Sequence, residues 1–308
     1  MMLVRFAGRS GGEGLGGRYW QTLTQETMND VVKAALDGGV DWFDTAESYG
    51  AGRSERALAE ALQAADRENG SVVVATKWLP IMRRASSILR TIDDRLANLS
   101  PYSIDLHQIH IGIGSLSRKK AQVEAMAELA AAGRIRAVGV SNFSARAMRL
   151  TSRVLARHGL PLASNQVRYS LLDRRIETNG VLAAARELGA TIIAYSPLAQ
   201  GLLSGKFHDD PERVKQLSGP RRMLRAFRPR GLRRSAPVVA ELKAVAAVHD
   251  ATPAQVALRW LVQAQGDVVV AIPGASKVEQ AQENAAVLDF ELTEKEVQAL
   301  DRVSQPFR

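Results

Sequence analysis

Four residues of this sequence carry groups that could together move a proton to or from an oxygen: Asp44, Tyr49, Lys77 and His110. Asp44 closes the apolar stretch VDWFD, and Tyr49 follows shortly after it in a loop that reaches Gly50. A phenol titrates near pH 10, and making one acidic at neutral pH takes about 4 kcal/mol of differential stabilisation of the phenolate. An ammonium at about 4 Å, with an effective dielectric of about 20, supplies that amount. Lys77 is the expected cation, and Asp44 the carboxylate that keeps it charged and oriented. His110 is expected to hydrogen-bond a substrate carbonyl and to place it against Tyr49. An acidic phenol without a base-activated serine fits reversible proton delivery to an oxygen, the step that complements hydride transfer to a carbonyl.

Short apolar strand candidates must deliver these groups to one place. They are VDWFDT, SVVVATK, IDLHQIH, RAVGVSN, LASNQV, ATIIAYS and DVVVAIPG. Helical patterns lie between them, including TQETMNDVVKAALDGG, SERALAEALQAADRENG, KKAQVEAMAELAAAGR and NGVLAAARELGA, several of them ending in glycine. This alternation predicts βαβ units and a parallel sheet. Asp44, Lys77 and His110 fall at two equal steps of 33 residues, and Asn142, Gln166 and Tyr195 close the next strands. An open doubly wound sheet would concentrate such groups at its switch point. A (β/α)8 barrel brings every strand end to one mouth, so a (β/α)8 TIM barrel of the α/β class is the expected fold. Alternation of side chains places Val40, Trp42 and Asp44 on one face, likewise Val73, Ala75 and Lys77, and Leu106, Gln108 and His110.

Composition narrows the chemistry. The chain has 308 residues, 46% hydrophobic and 24% charged, and contains no cysteine, which excludes disulfides, thiolate nucleophiles and thiolate metal sites. The net charge of +9 is concentrated in residues 213–234, which hold nine Lys or Arg and no acid. Only Phe227 interrupts that run with an aromatic ring, so it is not read as a nucleic-acid surface. No run approaches the roughly 20 apolar residues of a membrane span, and the start lacks a signal-peptide pattern, so a cytoplasmic location is expected. His107 and His110 are spaced as metal ligands could be, but on a strand they face opposite ways. No metal is expected, and His107 should face the helices as a satisfied residue.

The remaining strand ends suit a nicotinamide. Ser141, Asn142 and Gln166 offer donors and acceptors for a carboxamide, and Tyr195 offers a ring for stacking, although each could equally cap a turn. No G-x-G-x-x-G fingerprint follows any of the seven strands, which excludes the Rossmann route to a dinucleotide. In IPGASKVEQAQENAAV a helix N-terminus with Ser276 and Lys277 is a candidate phosphate site, and a serine helix cap is the alternative.

Over residues 22–302 the chain resembles the aldo-keto reductase superfamily. GGVDWFDTAESYGAGRSERALAEAL, VVVATK and SIDLHQIH resemble the family's Asp/Tyr, lysine and histidine motifs, and GRIRAVGVSNFS, SNQVRYSLLDR, IAYSPLAQGLLSGK and IPGASKVEQAQENAAV its successive cofactor motifs, in order. The resemblance implies a single barrel domain over 1–308 that reduces aldehydes or ketones with NADPH, with NADH as a second option. It makes Tyr49 the acid or base, Lys77 and Asp44 its tuning pair, and His110 the substrate-orienting residue. It places Ser141, Asn142 and Gln166 on the carboxamide and Tyr195 on the nicotinamide ring. Ser196, Pro197, Leu198, Gln200, Gly201 and Gly205 would line the pyrophosphate path. Pro273, Gly274, Ser276, Lys277, Gln280, Glu283 and Asn284 would surround the adenosine end. The expected substrates are small, uncharged, partly aromatic carbonyl compounds. The alternative within the same fold is a nucleotide-binding regulatory module, like the channel-associated β subunits, with little turnover.

Several features depart from the family pattern. Residues 1–21 form an atypical start, in which MLVRFAG is either a substitute first strand or a sign that the strand is missing. Residues 205–235, by contrast, form a long basic loop that resembles the seventh βα loop of a subgroup of plant and bacterial members; the resemblance implies that it helps bind cofactor phosphates or folds over the substrate, with Arg221 or Arg222 the best candidate for contact. Gly274 and Gln280 stand where many members place Arg or Lys, and Lys277 is the available compensation. The loop HIGIGSLSRKK differs where it would border the substrate pocket, and Trp20 and Trp78 are either apolar walls of that pocket or buried structural residues. No oligomeric state follows from the sequence.

Overall fold

Every strand expected from the sequence forms, and Leu3–Arg5 supplies one more. In this computed structural model, which describes residues 3–5, 23–217 and 223–308, the strands are β1 (Leu3–Arg5), β2 (Trp42–Asp44), β3 (Val73–Trp78), β4 (Leu106–Ile109), β5 (Ala137–Ser141), β6 (Ser164–Arg168), β7 (Thr191–Tyr195) and β8 (Val269–Ile272). They make an eight-stranded sheet in chain order, parallel at each step, and β1 also lies against β8. β1 pairs Leu3 with Trp42 and Arg5 with Asp44. The substitute strand in MLVRFAG therefore forms, and the fold is the (β/α)8 barrel. The expectations for Trp20, Arg221 and Arg222 lie outside the described residues.

The intervening helices are α1 (Gln25–Asp37), α2 (Arg53–Ala64), α3 (Ser86–Arg90), α4 (Ile92–Leu99), α5 (Lys119–Ala131), α6 (Ala145–Ala156), α7 (Val181–Leu188), α8 (Lys206–Asp209), α9 (Pro229–Val248), α10 (Pro253–Gln263), α11 (Val278–Ala285) and α12 (Glu294–Ser304). Their starts follow local chemistry. Thr24 accepts from the Thr27 backbone N–H, while Thr252 with Gln255, and Thr293 with Glu296, form reciprocal capping boxes. In α1 the buried Met28, Val31, Val32, Ala35 and Leu36 recur at helical spacing, giving one apolar stripe against the sheet.

Strand alternation separates two apolar regions. Trp42, Ala75, Leu106, Ile193, Val270 and Ile272 fill the barrel interior beneath the mouth. Phe43, Val74, Ile109 and Val138 point the other way into the larger core under the helices. Val40 also packs in that outer core, because it precedes β2 and does not continue the inward row. Trp78, next to Lys77 and of opposite parity, is buried on the outer side with its indole N–H donating to Ser87 Oγ at 3.1 Å. It is a structural residue rather than a pocket wall.

The basic stretch is more regular than a loop. The described part of residues 205–235 contains α8, short 3₁₀ segments at Pro211–Gln216 and Arg225–Phe227, and from Pro229 the first turns of α9. Phe227 is buried edge-on against Phe207, with ring centroids 5.1 Å apart. That contact anchors a segment whose arginines at 225, 228, 230, 233 and 234 are exposed. Among the described residues no helix is long and apolar enough to cross a membrane.

Candidate active site

Asp44 at the end of β2 and Lys77 on β3 both face the barrel axis, and both side chains are wholly buried. Lys77 Nζ donates to Asp44 Oδ1 and, at 2.7 Å, to the Thr45 carbonyl. The ammonium lies 5.5 Å from the centroid of the Tyr49 ring. Tyr49 Oη is 3.5 Å from Nε2 of His110, which immediately follows β4, and the two rings meet edge-on with centroids 5.6 Å apart. This is a long contact, of the kind that tightens when reactants occupy a site. His110 Nδ1 is 3.4 Å from Ser48 Oγ, so a serine outside the expected set faces the far side of the imidazole. The structure thus brings Asp44, Tyr49, Lys77 and His110 together.

The loop that carries Tyr49 is tethered from behind by residues that the sequence reading passed over. Glu47 Oε1 accepts from the Leu79 backbone N–H at 2.6 Å and from Arg83, and Oε2 accepts from Arg95. Arg95 also donates through Nε to Glu55 Oε2 at 2.9 Å, and Glu55 accepts from Thr76 at 2.6 Å and Asn98 at 3.0 Å. Burial raises the Glu55 carboxyl above its ordinary value, with Arg95 and its hydrogen-bond donors opposing. Gly52 adopts φ of +83°, and a Cβ there would lie 2.4 Å from Asn98 Nδ2, so only glycine lets the loop turn this close to α4. The local sequence showed a loop ending at glycine and a helical pattern from Ser54. It could not identify Arg95 as the shared cation, because that contact spans 48 residues.

His107 departs from expectation. It is buried on the outer side of β4, yet neither ring nitrogen has a hydrogen-bond partner among the described residues. Burial, reinforced by the nearby Arg95 charge, pushes its pKa from 6.5 down to about 3. The unfolded chain therefore binds a proton in a window where the folded protein does not, and stability is lost as pH falls from about 6.5 towards about 3. Between pH 6.5 and pH 5 this costs about 2 kcal/mol. In His107→Leu that part of the acid sensitivity should vanish, as read from urea unfolding at the two pH values. Parallel losses in both proteins would refute the assignment.

The residues expected to hold a nicotinamide form a connected set. Ser141 Oγ and the Asn142 backbone N–H each donate to the Gln166 carbonyl at 2.9 Å, and Asn142 Nδ2 donates to Ser141 Oγ at 3.0 Å. Tyr195 Oη donates to Asn142 Oδ1 at 3.0 Å. Asn142 takes φ of +58°, a left-handed conformation that asparagine tolerates better than most residues and that occurs at functional turns. Gln166 Nε2 donates to Asp44 Oδ2 at 3.0 Å, which joins this set to the buried ion pair. After β7, Ser196, Ala199, Gln200, Gly201 and Gly205 all take positive φ, so the segment that includes Pro197 and Leu198 coils tightly. Such alternation of backbone conformations makes a concave surface suited to an anion.

At the other candidate nucleotide segment, Gln280 Oε1 accepts from the Ser276 backbone N–H at 2.8 Å and from its hydroxyl at 3.1 Å. Pro273 is buried, Gly274 is exposed, and Lys277 is the exposed residue preceding α11. Glu283 accepts from Thr252 Oγ1, and Asn284 is buried on the inner side of α11. Gln280 in the first turn of α11 thus ties back Ser276, which precedes the N-cap Lys277, and Lys277 is the cation nearest in sequence.

A barrel mouth where a phenol stands between a buried cation and an imidazole has the equipment of a proton-transferring enzyme. The sequence profile of the Aldo/keto reductase family matches residues 10–305. An uncharacterized oxidoreductase of Mycobacterium tuberculosis is 40% identical over 295 residues, spanning 96% of this chain and 86% of that protein. The chloroplastic pyridoxal reductase of Arabidopsis thaliana is 33% identical over 295 residues, spanning 90% of this chain and 76% of that protein. Among solved structures, an aldo/keto reductase from Klebsiella pneumoniae in complex with NADP and acetate aligns with a TM-score of 0.72 at 27% identity, covering 98% of this chain and 91% of that chain. The chain belongs to the aldo/keto reductase family and is an oxidoreductase.

Proposed function

We propose that the protein reduces aldehydes or ketones to alcohols with NADPH, and that Tyr49 gives the carbonyl oxygen its proton. The observation that carries this reading is the wholly buried Lys77–Asp44 pair beside Tyr49, with His110 within 3.5 Å of the phenol oxygen. Asp44 holds Lys77 in position, Lys77 favours the phenolate left after proton transfer, and His110 steers the carbonyl oxygen toward the phenol. The dinucleotide, when bound, supplies the hydride. Ser141, Asn142 and Gln166 match a carboxamide in their mixture of donors and acceptors, and Tyr195 supplies a ring held by its hydroxyl. NADPH as the cofactor is supported by relatives such as the Klebsiella protein solved with NADP. Lys277 is the candidate cation for a 2′-phosphate, because Gln280 is occupied in accepting from Ser276.

The rim favours an uncharged, apolar carbonyl compound. Ile81, Met82, Ile113 and Leu116 are exposed on the loops that follow β3 and β4. The two loops are joined by hydrogen bonds from Met82 N–H to the Gly114 carbonyl at 2.8 Å and from Leu116 N–H to the Arg83 carbonyl at 2.9 Å. They form an apolar ledge adjoining His110 in sequence.

The decisive experiment is a single turnover. The protein is mixed with one equivalent of NADPH and an excess of an aromatic aldehyde such as 4-nitrobenzaldehyde, and loss of the reduced nicotinamide absorbance is followed. Rapid loss is expected. Tight nucleotide binding without any oxidation would replace this reading with a binding module of the same fold.

A further inference from the structure

Gln108 occupies an expensive position. It lies on β4 opposite Lys77, is wholly buried in the barrel, and has no hydrogen-bond partner for Oε1 among the described residues. Leaving a buried acceptor unpaired costs free energy. An apolar side chain of similar length would fill the same layer without that cost.

What the amide adds is a donor. Gln108 Nε2 donates to Asp44 Oδ2 at 3.1 Å, the oxygen not used by Lys77. The orientation is dictated by chemistry, since an ionised carboxylate only accepts and the amide must present its N–H to it. Gly139 on β5 leaves the space for this: a Cβ there would lie 2.9 Å from Gln108 Cγ and 2.4 Å from Ser164 Oγ. Gln166 also donates to Oδ2, but its neighbours are the candidate carboxamide-binding residues. Gln108 shows no such second engagement among the described residues.

We propose that Gln108 is a positioning residue that sets the charge balance of the catalytic group. It rests on the reading that Tyr49 exchanges the proton with substrate. Among the described residues, the charged and titratable groups facing Tyr49 include Lys77 from β3, His110 beyond β4 and, behind Lys77, Asp44 from β2. Lys77 favours the phenolate, and Asp44 opposes it by partly cancelling that charge. The N–H of Gln108 draws the carboxylate charge onto Oδ2, away from the lysine, so more of the ammonium field reaches the phenol. Without the amide the phenolate is harder to form.

The test uses Gln108→Met, with Gln108→Leu as a second apolar variant, and the pH dependence of NADP-linked oxidation of benzyl alcohol, the direction that begins from the phenolate. The rising limb should move to higher pH by about half a unit, and the rate on that limb should fall about threefold. NADPH affinity and cooperative unfolding should be preserved. Profiles that overlay the wild type in both variants would overturn the proposal. So would loss of folding or nucleotide binding in both, which would make the amide a structural necessity instead. Retention of turnover by Tyr49→Phe is a separate outcome, since it removes the underlying reading whatever Gln108 does.

Discussion

Tyr49→Phe is expected to lower kcat for carbonyl reduction between about a hundredfold and ten-thousandfold, the range typical for removal of a positioned general acid. The substitution deletes one hydroxyl and keeps the ring that meets His110 edge-on. The groups assigned to the nicotinamide lie on β5, β6 and β7 and hold one another through their own hydrogen bonds. NADPH affinity should therefore change by no more than about twofold, a pattern that marks an interaction made in the transition state rather than in binding. Fluorescence titration with NADPH and steady-state rates with an aromatic aldehyde measure the two quantities. Near-normal kcat would remove Tyr49 from its assigned role.

Lys77→Met is expected to abolish the same reaction and also to destabilise the fold by about 3–5 kcal/mol, because Asp44 would be left as an uncompensated charge in the barrel interior. Gln108 and Gln166 would still donate to Asp44 Oδ2, but an amide dipole does not replace the ammonium that now serves Oδ1. The double variant Asp44→Asn with Lys77→Met separates the two effects. Removing the second charge should restore about half of the lost stability, while turnover stays lost because no cation remains beside the phenol. Urea unfolding of wild type, single and double variants measures the first effect and aldehyde reduction the second. A double variant no more stable than the single would show that the loss comes from packing, not from charge.

Much of the arrangement is legible in the sequence. Strand parity alone placed Asp44 and Lys77 on the inward face, and the barrel follows from reactive groups closing one strand after another. The exceptions have local causes. Val40 lies before its strand, so its parity carries no information, and Trp78 follows Lys77 onto the outer face. The basic stretch reads as loop because its residues are charged and punctuated by Gly and Pro. From Pro229 it nevertheless becomes helix, since α9 buries Val238, Val239, Leu242 and Val245 against the barrel and proline is well suited to the first helical position.

The sequence by itself determined which reactive side chains exist, their order, and the face of the strand from which each points, because those properties follow from chain connectivity and a two-residue repeat. Only the tertiary structure decided which groups share a partner. Arg95 bridges Glu47 and Glu55, Gln108 reaches across to Asp44, and His107 is left without one among the described residues. These outcomes depend on small differences in the distances between strands and helices far apart in the chain. Closure of the barrel fixes those distances, and no local pattern of residues encodes them.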